Sequence, residues 1–86
     1  MRKPMAAARY HFHCTDGQDA VFDRTGRWVR NPELVWSHAE RTAREIMAGC
    51  KWRLNWSKWI VDIHDGSGRH VGTLNFTDVR EQRQAA

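Results

Sequence analysis

Two cysteines in 86 residues are too few for the disulfide frameworks that staple small secreted domains. Cys14 and Cys50 are therefore expected to stay reduced and to pack as small apolar groups. No apolar run approaches the roughly 18 residues of a membrane span, so no membrane partner is expected. Met1-Arg2-Lys3-Pro4 could open an export signal, but only Met5 and three alanines follow before Arg9. That leaves no hydrophobic region, and the expectation is a cytoplasmic protein. Lysine is scarce as well: of 14 bases, 3 are Lys and 11 are Arg. The length leaves no room for a second domain or an interdomain cleft.

What is present is tryptophan and an uneven positive charge. There are five Trp and a net charge of +4. Residues 1–9 carry +3, and residues 51–60 carry another +3 without a single acid. The remainder is slightly acidic. Basicity is thus a property of two patches and not of the whole surface.

Hydrophobic alternation orders the rest. In Arg9-Tyr10-His11-Phe12-His13-Cys14, the residues Tyr10, Phe12 and Cys14 share one face, and Arg9, His11 and His13 share the other. Asp16-Gly17 signals a two-residue hairpin turn, with a short return strand at about 19–22. Asn31-Pro32-Glu33 starts a helix predicted over residues 32–48, with Gly49 as its stop. Val35, Trp36, Ala39, Ala43, Ile46, Met47 and Cys50 form its apolar stripe. Trp59, Val61 and Ile63 alternate with Ile60, Asp62 and His64 in a further strand. Asp65-Gly66-Ser67-Gly68 turns into a last strand at about 69–76, where a bulge near Gly72 would align Val71, Leu74 and Phe76. Asp23-x-x-Gly26 and Asp65-x-x-Gly68 each suit a tight turn with a left-handed fourth residue.

The fold class that follows is α+β: a two-layer sandwich of about four antiparallel strands in the order ββαββ, with one helix on one sheet face. Residues 8–77 form the single domain, between a flexible basic tail (1–7) and a frayed polar tail (78–86). The second sheet face has nothing to cover it.

The same residues carry a resemblance. Arg9-Tyr10-x-Phe12-His13-x-x-Asp16-Gly17, then Asp23-x-x-Gly26, then Trp59-x-Val61-x-Ile63-x-Asp65-x-x-Gly68-x-x-Val71-x-x-Leu74-x-Phe76, resembles a family of short bacterial proteins filed as a domain of unknown function. The resemblance covers residues 8–77. It implies a small cytoplasmic bacterial domain without an assigned enzymatic activity, and it supplies no active site to carry over. Members of that family more often have an acidic connector where this chain has Lys51–Lys58.

Two surfaces carry the functional expectations. Lys51, Trp52, Arg53, Trp56 and Lys58, joined by Arg9, interleave cations with indoles, the composition with which single-stranded nucleic acid is bound. The plainer alternative is that Trp59 and one other indole pack at the core beside solvated bases. His11 and His13, with Asp62 and His64 if their strands are neighbours, form a candidate interface on the uncovered face. The function expected is a non-enzymatic binding module for an anionic partner, nucleic acid or an acidic protein. The alternative is an adaptor or homodimer working through the open face. No cofactor, metal or small-molecule substrate is expected: there is no Cys-x-x-Cys or His-x-x-x-His, and no serine sits in a nucleophile elbow.

Overall fold

The computed structural model describes residues 7–53 and 55–79. Most of both expected tails, 1–6 and 80–86, lies outside the described residues. Among these residues, five strands and one α-helix follow in the order β1 (Ala8–Thr15), β2 (Ala20–Val21), β3 (Arg27–Val29), α1 (Val35–Gly49), β4 (Ile60–Asp65) and β5 (His70–Asn75). All pairings are antiparallel, and the sheet order is β2-β1-β4-β5. β3 also pairs with β1, opposite Ala8–Tyr10, on the edge that β2 meets at Cys14 and Thr15. β3 is the strand the sequence reading leaves out. Three residues are too few for alternation to register, and this strand exists because β1 offers it an edge.

The helix packs on one sheet face, as the α+β assignment expects. Val35, Ala39 and Ala43 are buried against Phe12, Cys14, Val61 and Ile63. Two alanines on the contact line let the backbone of α1 approach the sheet closely. The large side chains filling the gap therefore come from the strands. Trp36 does not join this core. It is 45% exposed and lies over Gly72, where an added Cβ would come within 2.8 Å of the ring. An indole is too large for the seam the alanines set, so it moves to the flank and rests on the one β5 position without a side chain.

Several turns differ from expectation in detail. Asp16-Gly17 is part of a four-residue loop, since Thr15 pairs with Ala20. Only Gly17 has positive φ, and Asp16 instead accepts the N–H groups of Gln18 and Asp19 on Oδ1. The helix begins with a 3-10 turn at Pro32–Leu34, capped by the Asn31 side chain as expected. Gly49 is its last residue and not a left-handed stop, and Cys50 caps the end half-buried, outside the core. The bulge is present: Ile63 pairs with Gly72 but His64 pairs with His70. Val71 is the residue passed over, and it turns to solvent while Leu74 and Phe76 reach the core side. The Asp65 turn matches expectation, with Oδ1 accepting from Ser67 and Arg69 and Gly68 at φ +89. Among the described residues, no helix is long and apolar enough to cross a membrane.

Candidate functional site

The connector from α1 to β4 is built from short turns and not from a regular element. The Arg53 N–H bonds back to Cys50 O, and the Trp59 N–H to Trp56 O. Trp59 is buried and anchors the segment. The Trp56 ring packs edge-on against Trp59 at 5.4 Å between centroids and stacks on Phe76 at 5.5 Å. Trp56 is thus half-buried packing. Trp52 is the opposite case, 74% exposed. Arg53 is held among all three indoles, its guanidinium carbon 5.1 Å from Trp52, 5.5 Å from Trp56 and 5.1 Å from Trp59. It also lies 3.8 Å from Asp19. Lys51 and Lys58 are exposed.

Arg9 does not belong to this cluster. It lies over Trp28 at 4.7 Å, near the start of β1, whereas the segment enters the sheet beside Thr15. About 20 Å of strand separates the two ends.

The open sheet face gathers more than the sequence pattern alone implies. β1 and β4 are neighbours, with His11 opposite His64 and His13 opposite Asp62. Ring centroids run His11 to His13 at 5.9 Å, His13 to His64 at 5.5 Å and His64 to His70 at 5.4 Å. Four imidazoles therefore form one continuous row across β1, β4 and β5. His64 Nε2 and His70 Nε2 both approach Asp62, at 3.2 and 2.8 Å. Burial alone would raise the Asp62 carboxyl. The hydrogen bonds and charge of His64 and His70 outweigh it and hold the group below its ordinary value. Phe22 stands edge-on against His13, and both Phe22 and Trp28 are largely exposed, at 66% and 62%.

His70, Phe22 and Trp28 are absent from the sequence-level site. His70 joins because the bulge shifts its phase, Phe22 because β2 pairs beside Cys14, and Trp28 because β3 pairs opposite Arg9. Asp23 is a further residue absent from that site, although Asp-x-x-Gly marks its turn. Its Oδ1 accepts the Gly26 N–H at 2.9 Å, as the turn requires, and its Oδ2 accepts the Phe12 N–H at 3.1 Å.

Among the described residues, no three His, Cys, Asp or Glu side chains are arranged to hold a metal ion. Cys14 is buried, and burial pushes its thiol up to about 12, so it is not a thiolate at neutral pH.

A five-stranded antiparallel sheet with one helix on one face and a row of imidazoles on the other defines the class, a small α+β two-layer domain. The chain belongs to the family described as Domain of unknown function (DUF6894), which matches residues 9–77. No curated protein and no solved structure matches it.

Proposed function

We propose that the domain is a non-enzymatic binding module that engages single-stranded nucleic acid through Lys51, Trp52, Arg53, Trp56 and Lys58. The observation that carries this reading is Trp52. An indole 74% exposed contributes almost nothing to the fold, so packing does not account for it. Arg53 orders that indole from below without covering it, and Lys51 and Lys58 supply the phosphate-directed charge beside it. Trp56 supports the surface from its half-buried place. The reading takes the bacterial cytoplasm as its setting, where the free thiols of Cys14 and Cys50 stay reduced.

Two lysines facing phosphates set a log–log salt slope of about −1.4, hence about a sevenfold loss of affinity over a fourfold rise in salt. Titration of a fluorescent single-stranded oligonucleotide checks this. A flat salt dependence, or no binding at low salt, removes nucleic acid as the partner and leaves an acidic protein.

A second reading is favoured by a separate observation. Phe22 and Trp28 stand exposed on the open sheet face beside the imidazole row, a composition suited to a homodimer or adaptor contact. Sedimentation at micromolar concentration is expected to show a dimer that Trp28→Asp dissociates. A monomer, or a dimer indifferent to that substitution, ends this reading.

A further inference from the structure

Residues 16–29 form an arm along the free edge of β1, joined to it by ladder pairs only at its two ends. Between those ends three hydrogen bonds join β1 to one residue, Asp23. Its Oδ2 accepts the Phe12 N–H. Its backbone is gripped by two imidazoles: His11 Nδ1 lies 2.8 Å from Asp23 O, and His13 Nδ1 lies 3.0 Å from Asp23 N. A carbonyl oxygen only accepts and a backbone N–H only donates. The two rings are therefore fixed in opposite tautomers, with the His11 proton on Nδ1 and the His13 Nδ1 bare. An imidazolium carries N–H on both nitrogens. A protonated His11 keeps its bond to Asp23, whereas a protonated His13 cannot.

We infer that His13 is a proton-operated latch on this arm: a proton taken up at Nδ1 turns the acceptor of the Asp23 N–H into a second donor and removes one of the three hydrogen bonds that hold the arm to the middle of β1, loosening it there. The surroundings favour the bare form. Burial first, then His64 and His11, hold His13 below its ordinary 6.5, against the opposing pull of Asp23 and Asp62. Arg24 on the arm and Asp65 on β4 line the same open depression. His70 on β5 acts on it through Asp62, and Arg9 lies on the same face of β1. Because the folded pKa of His13 is lowered, the latch is closed above 6.5 and its contribution is lost as pH falls below that value toward the folded pKa. Beneath the arm, between it and α1, is a recess of about 440 Å³ whose walls include Phe12, Cys14 and Ile46. Unlatching loosens the cover over this apolar side of β1.

The latch does not rest on nucleic-acid binding, so it is tested on the free 86-residue chain, and its failure leaves the proposed nucleic-acid reading standing. At about pH 8, ring-nitrogen chemical shifts are expected to show His13 protonated on Nε2 and bare at Nδ1. A proton on Nδ1 of His13 in the folded protein at that pH overturns the inference. Between about pH 8 and about pH 5, exchange of the Asp23 and Gly26 amides, corrected for intrinsic rates, should quicken by about tenfold or more while α1 and β4 stay protected. His13→Asn, which can accept from the Asp23 N–H but does not titrate, should abolish the acceleration, and His70→Asn should retain it. No acceleration in the unsubstituted protein, or equal acceleration in His13→Asn, overturns the latch. The tautomer and exchange of the unsubstituted chain decide the matter even where a variant fails to fold.

Discussion

The basic segment and the open sheet face are both rich in rings and charge, but they hold those groups in different ways. In the segment the groups are largely engaged with one another. Arg53 is held by three indoles and faces Asp19, and Trp56 leans on Trp59 and Phe76. Only Trp52 and two lysines project freely. On the sheet face the strands themselves space the side chains, and every second residue is presented whatever its neighbours do. Composition therefore overstates what the first surface offers and understates the second.

The largest test of this contrast separates two indoles of the same segment. Trp59→Ala removes a buried ring that roots the connector and should cost about 3–5 kcal/mol of stability in denaturant titrations. Trp52→Ala should move stability by no more than about 0.5 kcal/mol. It should nevertheless weaken oligonucleotide binding by about 1–3 kcal/mol for each stacked base it loses. Equal stability losses in the two variants would erase the distinction between root and probe.

A smaller effect is expected on the other surface. Asp23→Ala strips the Phe12 and Gly26 N–H groups of their acceptors and should cost about 1–3 kcal/mol. Oligonucleotide affinity should not change, because Asp23 bonds to β1 and to its own turn, and the arm meets the basic segment at Asp19 instead. A fall in affinity alongside stability would mean that the two regions are coupled.

The smallest effect is a pH response. Segment 51–59 has neither imidazole nor carboxylate, whereas the sheet face has both. Asp62 is held below its ordinary 3.8, so its contribution is present above that value and lost as pH falls through the folded pKa. Asp62→Asn should flatten the acid limb of a stability–pH curve below about pH 4, at some cost at neutral pH. An unchanged acid limb would show that the His64 and His70 contacts carry no stabilising charge.

The fold was legible where periodicity was long. β1, α1 and β4 rest on runs in which burial alternates regularly, and the His11, His13, Asp62 and His64 group followed from those phases. What was not legible depends on tertiary fit. Trp36 obeys the helical stripe yet lies outside the core, because Ala39 and Ala43 set a seam too narrow for an indole. β3 is too short to have a pattern. Arg9 was grouped with the basic segment by charge alone, and only the strand direction shows that it sits at the opposite end of β1. The phase shift that brings His70 into the imidazole row was visible as a bulge near Gly72, but which residue the bulge would pass over was not.

The bulge has one more consequence. The Phe76 N–H bonds to Trp59 O, so the ladder alternation turns the N–H and C=O groups of Thr73 and Asn75 away from β4. Among the described residues nothing pairs with that side of β5, and the strand His70–Asn75 contains no lysine, arginine or proline to discourage another chain from adding there. The irregularity at Val71 provides the discouragement instead. It breaks the straight run of outward-facing backbone to the short stretch Gly72–Asn75, which gives an incoming strand little to zip onto. A single skipped residue thus helps guard this small domain against edge-to-edge polymerisation.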